Sequence, residues 1–480
     1  MNSYPLVIDL DGTLIDTDTL HESALKLFRS NVTQALQIPL WLAKGKAVLK
    51  EKIAERTTID PATLPYNSEL LAWLDKERAI GRKIVLCTAA DASIAESIAE
   101  HLGIFSEVIA SNGVVNLEGT KKASELEKRY GRRGFDYAGN SRADLAVWKV
   151  ARRGIVVNAS EALTQQARSL CEVTNVLPKQ RFGIKVWLKM LRVHQWLKSA
   201  LLFVPLFAAH DFFDIHAWQS LAFAFFAFSL CASSVYIAND LLDLESDRLH
   251  PRKRKRPFAS GALPISTGVC FAPFLLITSL AIGYFVDGAF WVWLLVYFVL
   301  TCAYSLFLKK VVLIDCMALA LLYTLRIIAG AAAVGQTLSF WLLAFAIFLF
   351  LSLAFVKRYA ELEMQLLRGK EKLHGRGYHT DDAPLIQSMG IVSGYTSVLV
   401  LALYLNSEAV VKLYQAPEWI WVDVPVMLFW ISWMWMQAHR GNMHDDPLVF
   451  AVKDLASVVT GAIFIAILYV GAVGGISWLL

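Results

Sequence analysis

Two short acidic motifs carry the densest chemistry in this chain. Asp9-Leu10-Asp11-Gly12-Thr13 follows a hydrophobic, strand-like run directly. Ligands of an open α/β sheet bind at the carboxyl ends of its strands, so both carboxylates are expected at the active edge. Two aspartates two apart, with a glycine freeing the turn, suit a nucleophile, an acid/base partner and a Mg²⁺ ion. The second motif is Asn239-Asp240-Leu241-Leu242-Asp243-Leu244-Glu245-Ser246-Asp247. On a helix, positions 240, 243 and 247 share one face, as do 239 and 243. Carboxylates crowded there repel one another unless a cation sits between them, and Mg²⁺ bridging them to a diphosphate is the economical reading. Arg248, Arg252, Lys253, Arg254, Lys255 and Arg256 follow at once, as phosphate-binding or lipid-surface charges.

A third group is more dispersed. Tyr304 and Lys309 close one apolar segment, Asp315 opens the next, and Arg326 lies within it. Asp315 and Arg326 are eleven residues apart, about three helical turns, so they share a face. An intramembrane arginine faces the bundle interior and marks a functional site by default; the plainer reading is a structural ion pair with a buried carboxylate. Lys357-Arg358-Tyr359-Ala360-Glu361 ends a further segment and reads either as phosphate contacts or as a snorkelling boundary.

The elements that position these groups fall into two kinds. The chain is 56 % hydrophobic and 18 % charged, against roughly a quarter charged in a soluble protein. The apolar excess lies beyond about Leu191. Before it, short β-rich runs (Leu6–Leu10, Lys83–Cys87, Glu107–Ala110, Phe135–Ala138, Ile155–Asn158) alternate with amphipathic stretches such as Ala92–Leu102 and Ala143–Arg152. Alternation of this kind predicts a parallel sheet covered on both faces. Residues from about Asp16 to Arg82 exceed one crossover and read as a small helical cap.

After a basic amphipathic stretch from Lys179 to Lys198, about nine apolar segments follow, several long enough to span a bilayer. They lie near 199–214, 218–238, 268–286, 289–307, 312–334, 339–356, 388–406, 424–438 and 455–479. Lys and Arg crowd alternate loops, while the remaining loops hold little beyond Lys412. The positive-inside rule then puts the N-terminal domain and the 239–266 and 357–387 loops in the cytosol of a multi-pass inner (plasma) membrane protein. The same rule accounts for the net charge of +5, and no nucleic-acid partner is expected. The six cysteines form no CxxC pair, so neither a disulfide framework nor a zinc site is indicated. The N-terminus MNSYPLVIDLDGT lacks a basic region followed by an apolar one, so no signal peptide is expected. Two domains result, 1–180 and 181–480.

Thr88 ends the second strand run, Lys121 and Lys122 follow a glycine, and Gly139-Asn140-Ser141-Arg142-Ala143-Asp144 follows the Phe135–Ala138 run. With Asp9 and Asp11, these four motifs in this order resemble the haloacid-dehalogenase (HAD) phosphohydrolase superfamily over roughly residues 4–175. The resemblance implies an α/β Rossmannoid domain in which Asp9 takes the phosphoryl group and Asp11 is the general acid/base. Thr13, Thr88 and Lys122 would hold phosphate, and Asn140 and Asp144 would complete the Mg²⁺ site. The family usually has Asp where this chain has Asn140, which lowers the charge holding the metal; the plainer alternative is a decayed scaffold.

The pattern NDxxDxxxD before a basic loop, among about nine helices, resembles the UbiA superfamily of intramembrane prenyltransferases over essentially all of residues 190–480. A finer resemblance is to the decaprenyl-phosphate phosphoribosyltransferases. It rests on Arg192-Val193-His194-Gln195-Trp196-Leu197-Lys198, on Asn239-Asp240 with His250-Pro251, Lys253-Arg254 and Arg256-Pro257, and on Tyr304-Ser305, Leu308-Lys309, Asp315, Arg326, Ala329-Gly330 and Lys357-Arg358. It implies transfer of 5-phosphoribosyl from phosphoribosyl diphosphate, held by Mg²⁺ on Asp240, Asp243 and Asp247, to a polyprenyl phosphate. Lys198, Lys253, Arg254, Arg256, Lys309, Arg326, Lys357 and Arg358 would contact phosphate, and Asn239, Tyr304 and Asp315 the substrates. Prenyl-diphosphate users typically show a second aspartate-rich cluster, and here it is reduced to Asp315 with cations nearby. The HAD domain would remove a phosphomonoester, the ribose 5-phosphate of the product. The alternatives are an aromatic prenyltransferase using a polyprenyl diphosphate, with an independent phosphatase, and a lipid transporter or scaffold carrying degenerate motifs.

Overall fold

The structure is a computed structural model and describes residues 4–178, 183–211, 213–373, 375–407, 410, 414–443 and 446–474. The expected domain boundary at 180, Lys412 and the C-terminus at Leu480 lie outside these residues. Two compact units are present, one of Met1–Leu191 with Tyr236–Pro273, the other of Arg192–Val235 with Phe274–Leu480.

In the first unit, β1 (Leu6–Ile8), α1 (Thr19–Ser30), α2 (Lys46–Ala54), β2 (Ile84–Asp91), α3 (Ala92–Leu102), β3 (Glu107–Ser111), α4 (Thr120–Tyr130), β4 (Asp136–Gly139), β5 (Arg153–Val157) and β6 (Glu172–Leu177) build an α/β domain. The sheet is parallel throughout, in the order β3-β2-β1-β4-β5-β6. A sheet covered on both faces needs apolar side chains on both, and β1 supplies them. Leu6 and Ile8 join Ile84, Leu86, Ala138 and Ile155 in one core, and Val7 joins Val85, Cys87, Tyr137 and Val156 in the other. Leu6, Val7 and Ile8 are wholly buried, each contributing about 1.5–3 kcal/mol of transfer free energy.

The helices start and stop where the local chemistry dictates. Asp18 caps α1 by accepting from the His21 N–H, Asp91 caps α3 through the Ser93 N–H, and Gly103 (φ +61°) ends α3 in the left-handed region. The expected cap is narrower than 16–82. Leu27, Ala35, Trp41, Leu49 and Ile53 form a small core of their own, whereas Leu70 and Leu74 of the helix Ser68–Ala79 pack on the sheet. Sequence reading did not anticipate β6, an edge strand whose partly exposed residues carry a weak apolar signal.

Among the described residues eight helical spans are long and apolar enough to cross a membrane. We label the main helices α5 (Ile215–Leu242), α6 (Leu244–Leu249, a short turn after the first span), α7 (Ile265–Val286), α8 (Gly288–Leu306), α9 (Ile314–Ala333), α10 (Phe340–Leu366), α11 (Ala383–Leu405), α12 (Asp423–His439) and α13 (Leu455–Val473). The first of the nine expected segments, 199–214, departs from an ordinary span. Val193–Phe203 winds as a 3₁₀ helix, and a five-residue α-turn, Val204–Ala208, follows with Pro205 in it. Proline lacks the N–H that a long helix requires. Helix α9 is the central one, 72 % of its apolar window being buried. It approaches the 3₁₀ segment so closely that a Cβ on Gly330 would stand 2.0 Å from the Leu202 carbonyl oxygen. Small residues admit such contacts where water offers no hydrophobic drive.

Candidate functional sites

Strands β1 and β4 are neighbours at the point where strand order reverses, the crevice in which open α/β sheets bind ligands. Asp9 leaves β1 there. Its Oδ1 accepts from Lys122 Nζ at 2.6 Å, and Lys122 also donates to the Tyr137 hydroxyl at 3.1 Å. Tyr137 in turn donates to Asp144 Oδ1 at 2.6 Å. The chain Asp9–Lys122–Tyr137–Asp144 thus fixes the lysine across the floor of the crevice. Asp11 is held from above: the Thr19 N–H donates to Oδ1 at 2.8 Å and the Thr19 hydroxyl to Oδ2 at 3.2 Å. Burial pushes the Asp9 carboxyl up to about 6, with Lys122 working against it, and Asp11 up to about 7, with Asp18 adding to the effect.

The remaining predicted residues of this domain divide by their surroundings. Thr13 and Thr88 are both fully buried. The Thr13 hydroxyl has no hydrogen-bond partner, while Thr88 Oγ1 accepts from the Ala90 N–H. Asn140 lies against Gly12, whose φ of +74° and lack of a Cβ let the amide come within 2.0 Å of where that Cβ would be. Asp144 Oδ2 accepts from the Asn140 and Ser141 N–H groups and the Ser141 hydroxyl. Its bonds make it an orienting group for the Gly139–Asp144 turn. Two carboxylates raised by desolvation, the Asn140 amide against Gly12 and an unpartnered hydroxyl fit a small hard cation and a phosphate.

Sequence reading missed two contributors. Tyr137 reads as a core aromatic, although its place two residues before Gly139 on β4 aims it at the crevice. Lys50, on α2, donates to the Ala89 carbonyl at 2.6 Å and to Asn116 Oδ1 at 3.0 Å, tying the cap to the end of β2 and to the segment after β3.

The second acidic motif occupies the end of α5 and the start of α6. Asp240 and Asp247 are both buried, and one guanidinium serves them: Arg256 Nη1 lies 3.0 Å from Asp240 Oδ1 and 2.5 Å from Asp247 Oδ2. Asp247 Oδ1 has no hydrogen-bond partner, with Lys253 Nζ at 3.9 Å. Burial raises the Asp247 carboxyl, Arg256 opposing it. Asp243 occupies the N-cap position of α6, and its N–H donates to the Asn239 carbonyl at 2.9 Å. Arg254 is exposed. Among the described residues no three carboxylate, histidine or cysteine side chains converge as a preformed metal cage. The orphaned Asp247 oxygen still fits a cation, which would need Arg256 to yield Asp240 and Asp247. Arg248 departs from the expectation of a phosphate or lipid charge. It is buried, donating to the Ala259 carbonyl and to Glu22.

In the second unit the predicted residues gather in three knots. Asp315, wholly buried, faces Arg358 Nη2 at 2.5 Å and Arg376 Nη1 at 3.3 Å, and accepts from the Tyr378 hydroxyl at 2.5 Å. Arg376 also donates to the Tyr304 hydroxyl at 3.3 Å, and Glu361 pairs with Arg358. Arg326 serves a different set: its Nη2 donates to the Tyr297 hydroxyl at 2.7 Å and its Nη1 to the Leu322 carbonyl. Among the described residues it has no carboxylate partner, and its Nε is unpartnered. The expected common face therefore does not make Asp315 and Arg326 partners. The third knot centres on Asp446, which takes Lys198 Nζ at 2.8 Å, Lys357 Nζ at 3.3 Å and the Tyr323 hydroxyl at 3.1 Å. Asp446 precedes Pro447 and caps the helix Pro447–Lys453. That cap pattern was visible in the sequence, and its lysine partners were not. Lys309 lies in the 3₁₀ turn Leu308–Lys310, partly exposed.

The family model described as "UbiA prenyltransferase family" matches residues 199–466. The chain belongs to that family, and it is a multi-pass membrane protein joined to a parallel-sheet α/β domain. An uncharacterised Sinorhizobium fredii protein, y4nM, is 39 % identical over 462 residues, 96 % of this chain and 89 % of its own length. The decaprenyl-phosphate phosphoribosyltransferase of Mycolicibacterium smegmatis is 36 % identical over 183 residues, 37 % of this chain and 57 % of the relative. Among solved structures, a substrate-bound phosphoserine phosphatase resembles 39 % of this chain and 98 % of its own at 15 % identity, with a TM-score of 0.27.

Proposed function

We propose that the membrane unit transfers a 5-phosphoribosyl group from phosphoribosyl diphosphate to a polyprenyl phosphate on the cytosolic leaflet of the inner membrane. The α/β domain then hydrolyses the ribose 5-phosphate of the lipid product. The observation that carries the reading is the Asp315 knot. One carboxylate is wrapped by Arg358, Arg376 and the Tyr378 hydroxyl. A second carboxylate–Mg²⁺ site for an allylic diphosphate needs acidic groups free to bind metal; here Asp315 and Glu361 are both engaged by Arg358 and Arg376, and the arginines suit an anionic acceptor phosphate. The similarity to decaprenyl-phosphate phosphoribosyltransferases supports phosphoribosyl transfer to a polyprenyl phosphate.

In this reading Asp240, Asp243 and Asp247 would hold the donor's Mg²⁺, which would supply positive charge to the diphosphate, and Asn239 contacts the substrate. Arg256, Lys253 and Arg254 stand beside it for the diphosphate oxygens. Lys198, Lys309, Arg326, Lys357 and Arg358 bind phosphate, with Tyr304 and Asp315 orienting substrate. An oxygen of the polyprenyl phosphate forms the bond to the anomeric carbon, and pyrophosphate leaves with the electron pair of the old bond. In the α/β domain Asp9, Asp11 and Asn140 would hold a second Mg²⁺, which would supply positive charge to the phosphomonoester. Asp9 attacks phosphorus as the bond to the ribose oxygen breaks, and Asp11 protonates that departing oxygen; water, giving its proton to Asp11, then attacks phosphorus and releases inorganic phosphate from Asp9. Lys122, Thr13 and Thr88 hold the phosphate oxygens.

Membranes containing the chain, incubated with labelled phosphoribosyl diphosphate, polyprenyl phosphate and Mg²⁺, are expected to yield labelled lipid lacking its 5-phosphate. Prenylation of an aromatic acid with no use of the ribose donor would overturn the proposal.

A further inference from the structure

Helix α1 presents three residues at i, i+4 and i+7 to the corner between α5 and α6. Glu22 accepts from Arg248 through both oxygens, Oε1 from Nη2 at 2.5 Å and Oε2 from Nη1 at 3.2 Å. Lys26 Nζ lies 2.5 Å from Glu245 Oε1, and Arg29 Nη1 donates to the Leu242 carbonyl at 3.3 Å. Glu22 meets a cation, Lys26 a carboxylate and Arg29 a carbonyl, so each side chain faces its complement and the register is specified. At the Glu22–Arg248 pair the side chains are only 7 % and 6 % exposed, and the partners are separated by 226 positions of chain. A buried bidentate pair holds direction as well as position.

Glu22 is bound on its other side to the loop that follows the aspartate pair. The Thr17 hydroxyl donates to Glu22 Oε1 at 2.7 Å, and the Gly12 N–H donates to the Thr17 carbonyl at 3.1 Å. Helix α1 itself begins at Thr19, the residue that holds both oxygens of Asp11. Gly261, in the loop after the basic run, closes the other flank. Its φ is +74°, and a Cβ there would stand 2.6 Å from Asp16 Cβ and 2.7 Å from the Asp16 carbonyl oxygen. Residues 12–19 are therefore walled by the segment that carries the acidic helix, with Arg248 as the charged anchor.

We infer that Arg248, outside the α/β domain in sequence, is a positioning residue of the phosphomonoesterase site, holding Asp11 in register through Glu22, Thr17 and Thr19. The inference rests on the phosphatase reading above for its activity and on geometry alone for its contact. It gives the α/β domain a structural requirement for the 236–273 segment: the phosphatase is complete only when docked on the acidic corner. Arg248 touches neither phosphate nor metal, so its loss alters the alignment of the acid/base and leaves phosphate affinity in place.

The test uses the full-length chain in detergent, with p-nitrophenyl phosphate and Mg²⁺ as the phosphatase probe and hydrogen exchange read over residues 12–22. Arg248→Ala is expected to lower kcat between about tenfold and a hundredfold with little change in KM, the loss seen when a remote contact misplaces a catalytic group. The same variant is expected to speed exchange of the Gly12 and Thr19 amides. Glu22→Arg alone should behave alike, and Glu22→Arg with Arg248→Glu should recover both readouts by restoring the pair. Wild-type exchange in Arg248→Ala, or a swapped pair no better than its singles, overturns the inference. If the wild-type chain does not hydrolyse the probe, the phosphatase reading falls, and exchange over 12–22 alone decides the positioning.

Discussion

Lys198 Nζ lies 2.8 Å from Asp446 Oδ2, across 248 positions of chain. Both are nearly inaccessible to solvent, and Lys357 and Tyr323 complete the ring around the carboxylate. Burial disfavours the charged form of Asp446, but the two ammonium groups outweigh it and hold the carboxyl well below the usual range. Removing one member of such a set leaves a buried charge uncompensated. Asp446→Asn is expected to cost about 3–5 kcal/mol, read as a lower thermal midpoint in detergent. Lys198→Met and Lys357→Met combined with Asp446→Leu should lie closer to wild type than Asp446→Asn, because all three charges go together. A midpoint unchanged in Asp446→Asn would show that the knot contributes no net stability.

Asp9→Asn keeps the shape at the end of β1 and removes the nucleophile. Labelled lipid is expected in wild-type yield, since the groups proposed for transfer lie elsewhere, but every molecule should retain its 5-phosphate. Chromatography separates the more acidic lipid from the ribosyl form. If wild type and Asp9→Asn give the same fully phosphorylated lipid, the α/β domain acts on some other substrate.

Asp243→Asn removes a charge from the acidic face without altering its size. Loss of an outer partner of a metal site costs about tenfold to a hundredfold, and a ligand should cost at least that. Label incorporation is therefore expected to fall by about a hundredfold, while hydrolysis of p-nitrophenyl phosphate stays intact. Transfer at the wild-type rate would remove Asp243 from the donor site.

The carboxyls of Asp9 and Asp11 lie above the ordinary value of 3.8, at about 6 and about 7. Between those limits the folded chain binds more protons than the unfolded one. Their contribution to stability is thus fully present below about pH 4 and is lost as the pH rises through about 6 to 7. Mg²⁺ binds ionised carboxylates, so the rise in melting temperature that it produces should grow from pH 5 to pH 8. A Mg²⁺ effect largest at pH 5 would contradict the raised carboxyls or their role as ligands.

What could be read from the sequence was what the chain encodes locally. Asp9, Asp11, Thr88 and Asn140 each lie at or just past the end of a strand-like run, and the continuous apolar runs of a sheet covered on both faces make such strands plain. Asp240, Asp243 and Asp247 share a helical face by spacing alone. The partners were hidden where they are distant in sequence. Arg256 on Asp247 is nine residues away, close enough to be weighed, but Glu22 on Arg248 and Lys198 on Asp446 have no spacing to betray them. The broken first segment was hidden for another reason. Its composition is that of a membrane helix, and only Pro205 marked the break, whereas the close approach of Leu202 to Gly330 is tertiary.

The 3₁₀ winding of Val193–Phe203 also acts as a ruler. At about 2.0 Å per residue, with the α-turn behind it, the sixteen residues to Ala208 reach about 30 Å. As an ordinary α-helix they would reach about 24 Å, short of a bilayer's hydrocarbon thickness. Three residues per turn also stack Gln195, Lys198 and Leu201 in a straight file. One residue inserted before Lys198 would swing its ammonium about 120° from Asp446, whereas three would return it to the same bearing one turn along. Either change breaks the Lys198–Asp446 contact, the first by direction and the second by about 6 Å of rise, so the length of the segment is fixed by that ion pair.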